Sequence, residues 1–228
     1  MHVYGFSTGA LALGDFNRAL EMLKGRDLKA VELSALRDHE LPALADSADS
    51  LQLDQFSYVS VHAPSRFSNL SEAEASRYLS VFVRKGWPVV MHPDAIRDPS
   101  HWKGFGSLLS IENMDKRKPA GRTPAELALW FDEYPEASFC LDLAHARQVD
   151  PSMAMAHDLI TRFGDRLRQI HLSELDSKSK HRPLSRSTVL ALEGVAARLP
   201  RVAVIIESMV DEPELDLEVE MARIALEG

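Results

Sequence analysis

A single cysteine, Cys140, is all that 228 residues contain, so no disulfide can form within the chain. It sits in the apolar run FCLD, where a small buried hydrophobe is the expected role. No apolar run approaches the ~20 residues needed to cross a bilayer. The opening MHVYGFSTGALALG lacks the basic start and cleavage pattern of a secretion signal, so no membrane association and a cytoplasmic location are expected. Positive charge is also scarce. Lys and Arg number 26 against 34 Asp and Glu, a formal charge of −8, which leaves no sequence-wide basic stripe to grip polyphosphate. A local basic patch or bound cations can still reverse the sign at one site. Low-complexity stretches and Gly/Ser linkers are missing, and no glycine-rich phosphate loop follows the first apolar run, which counts against a dinucleotide fold.

What is present is ordinary in bulk and patterned in detail. Hydrophobic residues at 45% and charged residues at 26% suit a soluble globular chain. The length fits one domain spanning 1–228. Short apolar runs alternate with helical patterns. Strands are expected at Val3–Ser7, 29–34 (KAVELS), Ser57–His62, Pro88–His92, Ser107–Glu112, Ser138–Asp142, Leu167–His171 and Arg201–Glu207. Between them, Asp15 N-caps a helix ended by Gly25, and a Leu/Ala-rich helical stretch lies near 40–51. Ser71 N-caps a helix ended by Gly86, and Thr123-Pro124-Ala125-Glu126 carries an N-cap, a first-turn proline and a capping-box glutamate. Further helices are expected over about 152–163, 187–199 and 212–226. Only the link after the fourth strand, containing Trp102 and Gly104, is irregular. Eight strand–helix units with near-continuous apolar strands such as VAVII require a parallel sheet covered by helices, and at this length they predict an α/β (β/α)8 TIM barrel.

The strands end alike. Apolar runs finish in His62, His92, Glu112, Asp142, His171 and Glu207, with His145 one turn beyond Asp142 and His181 following the seventh strand. In such a barrel all carboxyl ends meet at one mouth, so residues far apart in sequence become neighbours. A lone histidine at a strand end is usually structural and a lone glutamate there is usually a solvated charge. Six of eight strands ending this way is not a run of accidents. Carboxylates packed so closely repel one another without counter-charge, and divalent cations would supply it; the mixed nitrogen and oxygen set suits zinc, manganese or iron better than magnesium. His2, His39, His101 and His157 lie in loops or helices and read as surface.

In order along the chain, VHAPSRFSNL, VVMHPD, SIEN, LDLAHA, IHLSE and IIES resemble the xylose isomerase-like TIM-barrel superfamily, which includes endonuclease IV (AP endonuclease family 2) and sugar isomerases and epimerases. The resemblance spans essentially the whole chain. It implies a four-ligand centre of Glu112, Asp142, His171 and Glu207. Likeness to endonuclease IV further implies a second cation held by His62 and His92 with Glu112 bridging. It also implies a third held by His145, His181 and an aspartate two residues before that histidine, a position filled here by Ser179. One to three divalent ions (Zn, Mn or Fe) follow.

Two chemistries are compatible with this set. In the leading one, a sugar or sugar-phosphate isomerase or epimerase, one cation polarises adjacent sugar oxygens. Glu112 and Glu207 then exchange the proton from opposite faces while His145 contacts substrate. In the other, paired cations roughly 3.5–4 Å apart serve hydrolysis of a nucleic acid or a small phosphoester, with Arg66, Lys178, Lys180 and Arg182 as phosphate-binding candidates. Nucleic acid ranks below a small sugar substrate, because the loops are short, the charge is acidic and the third-site aspartate is missing. A third reading, from another class, is a barrel that binds metal without catalysis; the intact four-ligand set argues against it.

Overall fold

Alternating buried runs and amphipathic segments close the chain on itself. The computed structural model describes residues 1–228. Its strands are β1 (Val3–Ser7), β2 (Ala30–Ser34), β3 (Tyr58–His62), β4 (Val89–Met91), β5 (Leu109–Glu112), β6 (Ser138–Asp142) and β7 (Leu167–Leu172), a short hairpin of β8 (Glu174–Leu175) and β9 (His181–Arg182), and β10 (Ala203–Ile206). All except the hairpin form a closed barrel in the order β1-β10-β7-β6-β5-β4-β3-β2, every pairing parallel. This is the (β/α)8 architecture expected from the alternation.

Helices α1 (Thr8–Ala12), α2 (Phe16–Leu23), α3 (Leu41–Ser47), α4 (Glu72–Arg84), α5 (Pro124–Glu133), α6 (Leu143–Val149), α7 (Ala154–Phe163), α8 (Arg186–Ala196) and α9 (Leu215–Glu227) make the connections. Their starts follow local chemistry. Asp15, Ser71, Thr123 and Ser185 each accept an N–H of the first turn that would otherwise lack a partner. At α5 the capping box is not closed: Glu126 turns back to the N–H and guanidinium of Arg122 instead of Thr123. The link from β4 to β5 has no α-helix. Trp102 fills that gap, fully buried, stacked on Phe67 at 5.8 Å and donating its indole N–H to Glu72 at 3.0 Å. The aromatic ring covers the sheet where a helix would otherwise lie.

Side chains alternate across each strand. Outward residues such as Val31, Leu33, Ile170 and Ile206 join one apolar layer between barrel and helices. The interior is smaller and more polar towards the mouth. Val3, Ala30, Tyr58, Ala203 and Ile205 pack together at the amino end. At Gly5 the strands approach so closely that a Cβ would sit 1.7 Å from the Ala30 carbonyl oxygen, so only glycine fits.

Candidate metal centre

The barrel brings the strand-end residues to one mouth. Register places Ser34 beside His62 and Asp142 beside His171, so these ends stand level. Glu112, at the end of β5, is the centre of the cluster. Its Oε2 lies 3.2 Å from His62 Nε2 and 3.3 Å from His92 Nε2. Its Oε1 lies 3.2 Å from His145 Nδ1 and 3.5 Å from His171 Nδ1, and Glu207 Oε2 reaches the same His171 atom at 3.6 Å. Glu112, Asp142 and His171 are at most 1% exposed. Two ligand groups share Glu112: His62 with His92, and Asp142 with His171, each group having its donor atoms within 4.8 Å of one another.

Neighbouring backbone explains the aim of these side chains. Asp142 ends β6 and also N-caps α6: its Oδ1 accepts the His145 N–H at 2.6 Å, leaving Oδ2 to the mouth. Asn113 continues the β5–β6 ladder with its side chain, accepting from Asp142 N at 2.8 Å and donating to Asp142 O at 2.9 Å. Its own carbonyl takes the His145 Nδ1 proton at 2.9 Å. His62 Nδ1 donates to Ala63 O at 2.7 Å, which frees Nε2 to face Glu112.

Electrostatics follow from burial and crowding. Burial raises the Glu112 carboxyl, but His92 and His171 outweigh it and hold the group well below the usual range. Asp142 is pushed up to about 6 by burial, with His145 opposing and Glu112 and Glu207 adding. Burial also raises Glu207. Burial opposes charge on His62 and His145, yet Glu112 raises the first to about 9, and Asp142 with Glu112 raises the second to about 10. His92 and His181 are lowered, chiefly by burial. Cys140 is also pushed up by burial, as expected of an inert thiol.

Without a cation, this centre is held together by protons. The donor set fits a divalent ion on a further observation: Asp142 Oδ2 and His171 Nδ1 are buried without any hydrogen-bond partner, and both belong to the Glu112–Asp142–His171 group. Buried polar atoms are rarely left so unless something else satisfies them.

Comparison with solved structures bears on the fold. Endonuclease IV from Thermus thermophilus superposes with a TM-score of 0.63 at 19% identity over 99% of each chain. The 3-keto-D-glucoside 4-epimerase YcjR from E. coli gives 0.56 at 12%, covering 98% of this chain and 99% of that one. The chain shares the (β/α)8 barrel fold of these proteins. A zinc-bound IolI protein gives 0.58 at 13%, covering 99% and 98%. At these identities the likeness establishes the fold. No protein-family model and no curated protein matches the sequence.

The other expected site residues divide between the mouth and its surroundings. His145 and His181 both line the mouth, with ring centroids 6.3 Å apart, but belong to none of the ligand groups. His181 Nδ1 instead pairs with Ser173 Oγ at 2.8 Å. Ser179, at the position of the missing aspartate, spends its hydroxyl on Gln148. Asp176 does not substitute, because its carboxylate accepts the N–H groups of Lys178 and Lys180 and pairs with Arg182 at 2.8 Å. Arg66, Lys178, Lys180 and Arg182 do not line the mouth, a cavity of about 330 Å³. The cations that line it are Arg117 and Lys118, paired with Asp115 and Asp94. They arrive on the loop after Glu112, which folds back through Met114 N–H to Gly121 O, with Gly121 at φ 83°. Glu32, buried in mid-strand on β2, is a further member of the cluster that strand ends alone do not mark. Its one signal in the sequence is a charge within an otherwise apolar strand, AVELS.

Proposed function

We propose that this barrel is a divalent-cation-dependent phosphoester hydrolase acting on a small substrate. One observation carries the reading: the two oxygens of Glu112 face two separate ligand groups, so one carboxylate would serve two ions. His62 Nε2, His92 Nε2 and Glu112 Oε2 would hold one; Glu112 Oε1, Asp142 Oδ2, His171 Nδ1 and Glu207 would hold the other. When bound, the ions would supply Lewis acidity and ease ionisation of water. Glu207 lines the mouth, and a carboxylate oxygen left free of the ion would take the proton of the attacking water. Arg117 and Lys118 orient the phosphoryl oxygens. Zinc, manganese or iron suits the mixed donors.

The mouth, at about 330 Å³, admits a monoester or one nucleotide, and the acidic chain with only Arg117 and Lys118 as cations lining the cavity favours a small phosphoester over a nucleic acid. A second reading, proton transfer on a sugar or sugar phosphate, draws on the approach of Glu112 and Glu207 to the same His171 nitrogen at 3.5 and 3.6 Å. Here His145 would contact substrate.

Zinc- and manganese-loaded protein separates the two. Hydrolysis of bis(p-nitrophenyl) phosphate or p-nitrophenyl phosphate, without deuterium uptake by sugars in D2O, supports the first. Deuterium exchange at a sugar carbon without phosphoester cleavage would replace it with the second.

A further inference from the structure

Glu32 lies one inward step below the mouth, two residues before Ser34, which stands beside His62. It is 0% exposed, and three donors converge on its Oε2: Ser60 Oγ at 3.0 Å, Gln169 Nε2 at 2.7 Å and His171 Nε2 at 3.2 Å. Gln169 is itself oriented from below. Its Oε1 accepts the Tyr58 hydroxyl proton at 2.7 Å, which turns the amide NH2 towards Glu32. A carboxylate only accepts hydrogen bonds, so the imidazole state that fits this partner carries its proton on Nε2; the Gln169 amide, 2.9 Å from that same nitrogen, then directs its hydrogens to Glu32 Oε2 at 2.7 Å and not to the ring. His171 Nδ1 is then left with a free lone pair. That is the atom buried without a partner and facing Glu112 and Glu207.

We propose that Glu32 is the positioning residue of the centre, holding the His171 proton on Nε2 so that Nδ1 is presented to a cation. This rests on the metal-centre reading above and assigns to Glu32 a role in it. A carboxylate behind a ligating imidazole fixes the tautomer and ring orientation and makes the other nitrogen a stronger donor. The column Tyr58–Gln169–Glu32–His171 carries that constraint from the amino end of the barrel to its mouth.

Glu32 acts here from behind His171 and not as a ligand, although its Oε1 too is buried without a partner. Together with His62, His171 and Glu207 it does offer donor atoms within 4.8 Å of one another. The Gln169 amide nitrogen, however, lies 2.7 Å from Glu32 Oε2 and 2.9 Å from His171 Nε2, so its hydrogens occupy the space an ion would need.

The test begins with wild-type protein loaded with zinc or cadmium. Imidazole 15N NMR should show His171 protonated on Nε2 and bound to the ion through Nδ1; a proton on Nδ1, or the ion on Nε2, overturns the proposal without any variant. Glu32→Gln and Glu32→Ala should then bind the same number of zinc equivalents about 10- to 100-fold more weakly. Glu32→Asp should recover part of the loss. Unchanged affinity in the folded variants overturns the positioning role, and loss of a whole equivalent overturns it by making Glu32 a ligand. Wild-type protein that binds no cation overturns the metal-centre reading and this proposal with it.

Discussion

Glu112→Gln keeps the side chain's shape and removes one negative charge, and it should empty both ligand groups at once. Glu112 is the only residue common to the His62–His92 group and the Asp142–His171 group. Opposite unit charges about 4 Å apart attract by about 4 kcal/mol at an effective dielectric of roughly 20. That corresponds to roughly a 10³-fold loss of affinity. The Gln carbonyl can still coordinate, so this is the scale of the lost charge and not of the lost contact. Elemental analysis of the purified variant, followed by zinc titration against a chromophoric chelator, measures the effect. His92→Ala is the control: it should lose the ion beside His62 and retain the one beside His171. Thermal unfolding of the metal-free proteins shows whether the variant still folds. A folded Glu112→Gln protein that keeps its full complement of ions, with affinity within tenfold of wild type, would refute the bridging role.

Other outcomes follow from the same geometry. The Asp38 carboxylate accepts the N–H groups of Ser68, Asn69 and Leu70 and the Asn69 side-chain amide, so Asp38→Ala should cost about 2–4 kcal/mol in urea unfolding. These bonds hold its carboxyl well below 3.8, so its contribution is present above that pH and lost as the pH falls further; the variant should show a flatter acid limb. His62, raised from 6.5 to about 9, works the other way: it stabilises the metal-free protein fully below pH 6.5 and ceases to as the pH rises through 9. Zinc binding at pH 7 should therefore release protons, seen as buffer-dependent heats in calorimetry, and heats independent of the buffer would contradict this. Lys118→Met should lower kcat/KM for a phosphoester about 10- to 100-fold while metal content stays constant, since a charge-assisted hydrogen bond contributes about 1.5–3 kcal/mol. An unchanged ratio would remove Lys118 from substrate binding.

Residues at strand ends are legible because a polar group closing an apolar run stands out, and barrel topology assembles such ends. His62, His92, Glu112, Asp142, His171 and Glu207 all lie at the one mouth. Residues whose placement depends on a loop's path are not legible. Arg117 and Lys118 reach the cavity because the chain reverses between Met114 and Gly121, and nothing in their spacing from Glu112 shows that. Arg182 looks available for substrate in the sequence, yet the turn between β8 and β9 spends it on Asp176. Glu32 is hidden for a different reason. Every residue of β2 is buried, so a single charge in that strand has no periodic pattern to mark it as facing inward. Its partners Ser60, Gln169 and His171 come from β3 and β7, and only the closed barrel brings them together. Helix α6 escapes a sequence reading because Asp142 ends the strand and caps the helix in the same residue, leaving no loop between them.

The most direct test of a shared cation centre is anomalous X-ray diffraction from crystals equilibrated with zinc. Two peaks on either side of the Glu112 carboxylate, one against His62 and His92 and one against Asp142 and His171, are the predicted result. No peak at the mouth, or zinc bound only at surface histidines such as His39, would contradict it.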